Sequence, residues 1–412
     1  MRRSRFSART GELRRVEMIF LDVTGACKSP RSTGIQRITR RIFQELNRRA
    51  SVTPISWNSV GNRYQLLGGR ERALLEEPAR FLTRARARPE LRGEYFPAEL
   101  HRHLFRKSIR LEKQLRDGDV FLLPDIFRDG RLKKLPMLIS RADVRSVAIF
   151  HDAAVLQLSM LDSRAKAKFE KYILSLAQFD LVVCVSEASH DDLRQLWSEL
   201  GASPTETVVE TLPIEPIAQS PNRASKDAQP LVLCVGSFER RKNHVTLLRA
   251  ANAVWESGLE FELELIGRST GAFGRKVTAE LRKLRRSARP VRWLKQVNDD
   301  VLQRAYQACR FSVYPSLMEG FGLPIGESLI HGKPCICGGN GALGEVARGG
   351  GCLVVDQTKA ESLADAIKTL LVDRELYSRL CHEARARKFR SWPDYIGNLV
   401  AHLQTQAQSA IS

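Results

Sequence analysis

The sequence YPSLMEGFGLPIGESLI, at residues 314–330, decides the fold of the second half of the chain. The apolar residues 311–314 predict a buried strand. Pro324 then suits the first turn of a helix, where a missing backbone N–H costs nothing. Between strand and helix, Gly320 and Gly322 let backbone amides approach a ligand closely, and the start of a helix favours an anion. The stretch therefore predicts a strand, a loop and a helix with an anion, such as a phosphate, at the helix start.

Two carboxylates flank this predicted anion site. Glu319 lies in the loop, and Glu327 lies about one turn inside the helix. Ionised carboxylates accept hydrogen bonds, so the pair suits the hydroxyl groups of a sugar. On the residues alone, a helix with a Gly-rich first turn and solvated glutamates is the other interpretation.

A second motif, VGSFERRKNH at residues 235–244, follows another predicted strand. Gly236 and Ser237 predict a turn at the carboxyl end of that strand, and three consecutive cations from Arg240 to Lys242 open the next helix. Cations at a helix start oppose the helix dipole, so a nearby anion would compensate them. The alternative is an exposed basic turn.

Short apolar runs alternate with helical patterns along the whole chain, which is typical of parallel sheets covered by helices. Strands are predicted at residues 16–23, 52–57, 120–123, 147–150, 181–185, 231–235, 261–266, 291–294, 311–314, 334–337 and 352–355. Helices are predicted at residues 34–49, 187–200, 243–257, 273–287, 299–309 and 360–371. The predicted fold class is α/β, with two Rossmann-like domains that face each other across a cleft. A ligand is expected in that cleft, at the carboxyl ends of the strands.

Composition predicts where the domains meet. The first Rossmann-like domain is predicted at residues 1–213, with a basic helical insertion at about 61–117. Residues 214–230 are rich in Pro, Ser, Ala and Asn and are predicted to be a linker. The second Rossmann-like domain is predicted at residues 231–390.

The charge of the chain predicts an anionic partner. Its 412 residues include 66 Lys and Arg against 46 Asp and Glu, which gives a formal net charge of +20. A phosphorylated small molecule, an anionic membrane surface and nucleic acid are all compatible with this excess. The arginines within residues 61–117 belong either to a solvated helical excursion or to a surface for anionic lipid headgroups or a lipid-diphosphate acceptor.

The sequence contains no apolar run of about 18 residues, and no apolar segment follows its basic N-terminus. We therefore expect a cytoplasmic protein. Whether it is also peripheral on the cytoplasmic face of the inner membrane stays open.

Several motifs together resemble the retaining glycosyltransferases of family 4, which have the GT-B fold. The strongest are FERRKN at residues 238–243 and the E-x7-E pattern from Glu319 to Glu327 within EGFGLPIGE. Further matches are TGIQRITR at 33–40, FHD at 150–152, VSEASHDDL at 185–193 and FRSWPDY at 389–395. The resemblance covers nearly the whole chain, most strongly residues 231–355. It implies a nucleotide-sugar-dependent enzyme of bacterial surface-polysaccharide synthesis. In such an enzyme the domain at 1–213 would lie on the acceptor side, the domain at 231–390 would bind the nucleotide sugar, and a C-terminal helix at 391–412 would cross back to the first domain.

The resemblance also implies which residues hold the donor diphosphate. Lys242, together with Arg241, would grip it. Gly236 and Ser237 would lie beside it, and Gly34 would let the first loop approach it. Many relatives carry Arg where this chain has Ser237, and many have a second glycine near Gly34.

The transferred sugar and the nucleoside are assigned in the same way. Glu319 would bind hydroxyl groups of the sugar, His151 would face that sugar across the cleft, and Glu327 would bind the ribose hydroxyls. The remaining donor contacts would be backbone groups of Gly320, Phe321, Gly322 and Leu323. Glu319, Lys242 and His151 are the predicted catalytic residues.

The predicted function is transfer of a hexose or deoxyhexose, first of all mannose from GDP-mannose, to a growing glycan or lipid-linked acceptor with retention at the anomeric carbon. No metal or other cofactor is expected, because Lys242 and the helix dipole can stabilise the departing diphosphate. One alternative is a catalytically silent scaffold that binds a sugar nucleotide. Another is a basic nucleic-acid-binding protein, but the cations are spread along the chain and no nucleic-acid motif is present, so no nucleic-acid partner is expected.

Overall fold

The computed structural model describes residues 16–28, 33–76, 109–141, 143–215, 229–295 and 297–404. Residues 77–108, which form most of the predicted basic insertion, lie outside the described residues. So do residues 216–228, which form most of the predicted linker.

The first domain is built on a sheet that has seven strands within the described residues, in the order β3-β2-β1-β4-β5-β6-β7. The pairs are parallel except for β2 and β3, which are antiparallel. The strands are β1 (Ile19–Asp22), β2 (Val52–Asn58), β3 (Arg63–Leu66), β4 (Val120–Leu123), β5 (Arg145–Phe150), β6 (Leu181–Cys184) and β7 (Glu206–Val209). The central strands are apolar and buried, because helices cover both faces of a parallel sheet.

Helices connect these strands. They are α1 (Thr24–Cys27), α2 (Gly34–Leu46), α3 (Gly69–Glu76), α4 (Leu111–Gln114), α5 (Arg131–Ile139), α6 (Ala154–Gln157), α7 (Ser163–Leu176) and α8 (Glu187–Glu199). Two of the helices that begin at the cleft, α2 and α8, start with capping boxes. Thr33 accepts a hydrogen bond from the backbone of Gln36 at the start of α2, and Ser186 does the same with Ser189 at the start of α8.

The second domain has a parallel sheet, six-stranded in the part of the chain that is described, with the order β10-β9-β8-β11-β12-β13. Its strands are β8 (Leu231–Val235), β9 (Glu262–Ile266), β10 (Val291–Leu294), β11 (Phe311–Tyr314), β12 (Cys335–Cys337) and β13 (Cys352–Val354). Its helices are α9 (His244–Glu256), α10 (Gly271–Arg286), α11 (Asp299–Ala308), α12 (Leu323–Ile330), α13 (Gly341–Ala347), α14 (Ala360–Val372) and α15 (Arg374–Ala386). The predicted α/β architecture of two Rossmann-like sheets is confirmed.

The strand order places the two motifs side by side. The order reverses between β8 and β11, and the VGSFERRKNH and EGFGLPIGE loops follow these two adjacent strands. In open α/β sheets, ligands bind at such a switch point, outside the carboxyl ends of the strands. The equivalent reversal in the first sheet lies between β1 and β4.

The chain ends its described part with α16 (Trp392–Gln404), which packs against the first domain. Tyr395, Ile396 and Leu399 are buried in the same core cluster as β1 and α2. Arg49 also donates a hydrogen bond to the carbonyl of Pro393 (3.0 Å).

Two strands were not predicted, and both are short sheet edges. β3 lies in the stretch predicted as a helical insertion, so the first sheet extends into it. Tyr64 of β3 packs edge-on against Trp57 of β2, with ring centroids 5.1 Å apart. β7 has no fully buried residue. Such four-residue strands are stabilised by their neighbours, not by their own periodicity.

We expect Leu399→Ala to destabilise the first domain, because Leu399 is fully buried against a core to which it is distant in sequence. The free energy of unfolding should fall by about 2–5 kcal/mol. Urea unfolding, with hydrogen exchange of the β1 amides, measures this effect. The matched control is Asn398→Ala, an exposed neighbour on the same helix, which should change stability by less than about 0.5 kcal/mol. Equal effects of the two changes would contradict the packing of α16.

Candidate functional site

The candidate site is centred on the carboxylate of Glu319, in the loop after β11. Lys242 donates to one of its oxygens (2.6 Å) and Arg241 to the other (2.5 Å). The hydroxyl of Ser316 donates to the same oxygen as Lys242. The carboxylate is 9% exposed, and burial alone would raise its pKa. The charges of Lys242 and Arg241 outweigh burial and lower the pKa of Glu319 to about 2.

The two cations are fixed by a short turn. The segment Arg240–Lys242 forms one turn of 3-10 helix, which ends at Asn243 in the left-handed region (φ 54°). Lys242 also donates to the hydroxyl of Tyr314, which lies at the end of β11. Burial lowers the pKa of Lys242, and Glu319 partly restores it. Burial would lower the pKa of Arg241, but the negative charge of Glu319 raises it above its usual value.

The predicted turn after β8 lies beside these cations. Gly236 donates its N–H to the carbonyl of Ile266 (2.8 Å), and a side chain at Gly236 would contact Lys242. The hydroxyl of Ser237 donates to Glu239 (2.6 Å), so this side chain has a partner within its own loop.

The start of α12 presents free backbone donors. Gly322 is its N-cap, with φ 102°, a conformation that favours glycine. The amides of Phe321, Gly322 and Leu323 donate no hydrogen bond to any other described residue. Unpaired amides at a helix start are suited to an anion.

The loop before α12 meets the first domain with almost no space between the backbones. A Cβ atom added at Gly320 would lie 1.9 Å from the carbonyl oxygen of His151. The carbonyl of Gly320 accepts a hydrogen bond from the hydroxyl of Ser186 (2.6 Å). Only glycine allows this approach, so the two domains touch at the site itself.

His151 lies at the end of β5, on the opposite wall of the cleft. Its Nε2 donates to the carbonyl of Pro124 (2.8 Å). Burial lowers the pKa of the imidazole, which favours the neutral ring. With the proton on Nε2, the Nδ1 atom is the hydrogen-bond acceptor.

Gly34 begins α2 and faces the start of α12. A Cβ atom at Gly34 would contact the side chain of Leu323 at 3.5 Å. Phe321 and Leu323 also pack against the core of the first domain. The starts of α2 and α12 are therefore neighbours across the cleft.

Glu327 lies one turn further along α12 and is 9% exposed. It accepts a hydrogen bond from the hydroxyl of Tyr306 (3.0 Å) and another from Arg37 of α2, so it contacts both domains. It does not contact Glu319 or the two cations in the described structure. The predicted residues thus form two clusters, one around Glu319 and one around Glu327, with the start of α12 between them.

The sequence analysis assigned no role to several residues that complete these clusters. They are Arg37, Tyr306, Ser316, Tyr314 and Ser186. For Arg37 a signal was present, since it lies one helical turn after Gly34 and therefore on the same face of α2. Ser316 also had a local signal, since it lies three residues before Glu319 in the same motif. Tyr306 and Ser186 reach the site only through tertiary contacts, as does the bond of Tyr314 to Lys242.

Within the described ranges, no group of three or more His, Cys, Asp or Glu residues is arranged to hold a metal ion. No helix among those residues is long and apolar enough to cross a membrane.

Comparison with known proteins identifies the second domain. Residues 217–387 match the family model described as glycosyl transferases group 1. These residues, fewer than half of the 412 in the chain, therefore resemble a group 1 glycosyltransferase domain. They contain both clusters of predicted site residues, except for those that the first domain contributes.

Curated relatives extend the similarity into the first domain. O-antigen chain mannosyltransferase B of Escherichia coli is 28% identical over 244 residues, which is 56% of this chain and 62% of that protein. The serotype-specific mannosyltransferase WbdA of Escherichia coli is 24% identical over 358 residues, 80% of this chain and 38% of that protein. The matches thus span less than two thirds of either relative.

Solved structures show the fold. A sucrose-phosphate synthase from Thermosynechococcus elongatus superposes with a TM-score of 0.65 at 19% identity, over 94% of this chain and 99% of that one. Anabaena HepE, solved in complex with UDP and glucose, superposes with a TM-score of 0.66 at 17% identity and the same coverage. The predicted GT-B fold is confirmed.

We expect Glu319→Gln to flatten the acid dependence of stability. A pKa lowered from 4.5 to about 2 gives a stabilisation that is complete above about pH 4.5 and is lost as the pH falls toward 2. This stabilisation is about 3 kcal/mol. Urea unfolding at pH 7 and at pH 2.5 should therefore show a smaller difference in the variant than in the unmodified protein.

The matched control is Glu361→Gln, an exposed glutamate on α14. This variant should keep the full pH dependence. If Glu319→Gln also keeps it, Glu319 is not the paired carboxylate that the structure places here.

Proposed function

We propose that the chain is a hexosyltransferase that moves a sugar from a nucleoside diphosphate donor to a glycan or lipid-linked acceptor. The observation that carries this proposal is the Glu319 cluster beside the unpaired amides at the start of α12. It combines cations, helix-start amides and a carboxylate in the cleft between two domains. Cations and helix-start amides bind a diphosphate, and a carboxylate accepts a hydrogen bond from a sugar hydroxyl.

The donor diphosphate would lie at the start of α12, against Lys242 and Arg241. Lys242 donates to Glu319 and Tyr314, which leaves one of its three N–H groups for a phosphate oxygen. Arg241 donates to Glu319 and Glu239, which leaves further N–H groups of its guanidinium for the same purpose. As the bond from the sugar to the phosphate breaks, negative charge grows on the departing diphosphate. These fixed donors stabilise that charge more than they stabilise the intact donor.

The sugar would lie between Glu319 and His151. Oε1 of Glu319 already accepts from Lys242 and Ser316, so Oε2, which accepts from Arg241, would take a sugar hydroxyl. Nδ1 of the neutral His151 would accept another hydroxyl from the opposite wall. Mannose from GDP-mannose is the first donor to test, because two similar Escherichia coli proteins are named mannosyltransferases. UDP-glucose is the second donor to test, because a structure of HepE contains it.

The proposed reaction retains the configuration of the anomeric carbon. Glu319 is a poor nucleophile, since its charge is shared by Lys242 and Arg241. The acceptor oxygen instead attacks the face that the diphosphate is leaving. The bond from the anomeric carbon to the phosphate oxygen breaks with its electron pair, and that oxygen takes the acceptor proton.

We further propose that the acceptor is presented at a membrane surface, on its cytoplasmic side. The net charge of +20 and the arginine-rich segment within residues 61–117 support this, because basic segments bind anionic headgroups. Most of that segment lies outside the described residues.

Nucleoside diphosphates should stabilise the protein against heat. A ligand at 100 times its dissociation constant adds about 2.7 kcal/mol of stability. GDP, UDP and ADP, with their mannose and glucose conjugates, form a suitable panel for thermal unfolding. Absence of any shift across the panel would contradict the proposed function.

Glu319→Ala and Glu327→Ala should have different effects on a donor found in this way. Glu319→Ala should lower turnover by about 100-fold or more with little loss of nucleotide affinity, because sugar contacts tighten as the bond breaks. Glu327→Ala should weaken nucleotide binding by about tenfold, since ribose contacts are alike in the ground and transition states. Calorimetry and donor hydrolysis separate the two effects. A scaffold would bind the donor without any turnover.

A test of the mechanism is proton NMR of the first-formed product, which should show a retained anomeric configuration. EDTA should leave the rate unchanged, because Lys242 and the start of α12 already neutralise the leaving group. An inverted product, or a sugar adduct on Glu319 in mass spectrometry, would overturn the mechanism.

A further inference from the structure

Helices α2 and α12 come from different domains, and their first turns meet across the cleft. Gly34 at the start of α2 lies against Leu323 at the start of α12. One turn later, a guanidinium N–H of Arg37 donates to Oε1 of Glu327. The pair thus joins the two domains at the residue to which the ribose is assigned.

The hydrogen bonds of Glu327 leave room for a diol. An ionised carboxylate offers about two acceptor positions on each oxygen. Arg37 occupies one position on Oε1, and Tyr306 occupies one on Oε2. One position stays on each oxygen, and a ribose offers two adjacent O–H donors. The diol can therefore bind without displacing Arg37.

The two donors also fix the direction of the carboxylate. Tyr306 is buried on α11, within the second domain, and its position does not depend on the first domain. Arg37 lies on α2 of the first domain, is 28% exposed at its side chain, and donates to Glu327 across the cleft. The Glu327 charge works against burial to raise the pKa of Arg37, so this cation stays charged at every pH of interest.

Resting on the proposed function, we propose that Arg37 is a positioning residue of the nucleotide site. It holds the carboxylate of Glu327 in the orientation that receives both ribose hydroxyls. The first domain thereby contributes to recognition of the nucleoside, and ribose binding and domain closure stabilise each other. When the cleft is open, Tyr306 still donates to Glu327, but Arg37 does not.

The coupling between Arg37 and the ribose hydroxyls can be measured with a thermodynamic cycle. The ligands are GDP, UDP and ADP, each compared with its 2′,3′-dideoxy form by calorimetry. The variants are Arg37→Ala and Arg37→Lys, with Arg48→Ala as the matched control. Arg48 follows the end of α2, is 66% exposed and pairs with Glu45. Its replacement removes the same charge as replacement of Arg37.

For the unmodified protein and Arg48→Ala, loss of the two hydroxyls should weaken binding of the preferred diphosphate by about tenfold or more. In Arg37→Ala, binding of that diphosphate should be about tenfold weaker, and the penalty for the dideoxy form should shrink to about twofold or less. Arg37→Lys should recover part of the affinity but not the full hydroxyl preference, because its ammonium does not reproduce the planar fork.

Two outcomes would contradict the role of Arg37, and a third would contradict the proposed function. If the full hydroxyl penalty persists in Arg37→Ala, Arg37 does not position Glu327, and the inference is wrong. Tighter binding by Arg37→Ala would also overturn it, since Arg37 would then compete with the ribose. If the unmodified protein binds none of the diphosphates, the proposed function fails, which is a separate result.

Discussion

The charge balance at Glu319 is the interaction on which the site depends. Lys242 and Arg241 come from the loop after β8, and Glu319 comes from the loop after β11. None of these buried charges is stable in this position without the others, because removing one partner leaves an uncompensated charge away from water. The pairing therefore fixes both loops at the switch point of the second sheet. It also leaves each cation with N–H groups that a phosphate can share.

The residues that bind the proposed ligands also hold the two domains together. Gly320 meets His151 and Ser186 of the first domain, and Glu327 meets Arg37. A further contact lies nearby, where Glu345 of α13 accepts hydrogen bonds from the first amides of α8 (2.6 and 3.1 Å). These contacts are polar, and the packing of Phe321 and Leu323 against the first domain adds an apolar part to the interface. Interfaces between domains of one chain are commonly polar enough to let the domains move relative to each other. Opening of the cleft would break these contacts together, and closing would complete the site.

Agreement between sequence and structure follows the strength of local signals. Strands β4, β8, β10 and β11 have the predicted bounds, since a proline, a glycine or a charged residue stands at each end of these short runs. The edge strands β3 and β7 were missed because they are short and half-exposed, and hydrogen bonds to a neighbouring strand define them. Ser237 is predicted to lie beside the diphosphate, and the structure adds that its hydroxyl donates to Glu239. Nothing in the local sequence pattern indicates that hydrogen bond.

The sequence by itself determined the fold class, the switch-point loops and the identity of the residues in each loop. Periodicity, glycine and proline act over a few residues, so their effects can be recognised in the chain. Only the tertiary structure decided which loops meet. It paired Arg37 with Glu327 across 290 positions of sequence, and it placed Gly320 where no side chain fits. The physical reason is that such contacts depend on how the two sheets pack against each other. The local preferences of a few neighbouring residues do not determine that packing.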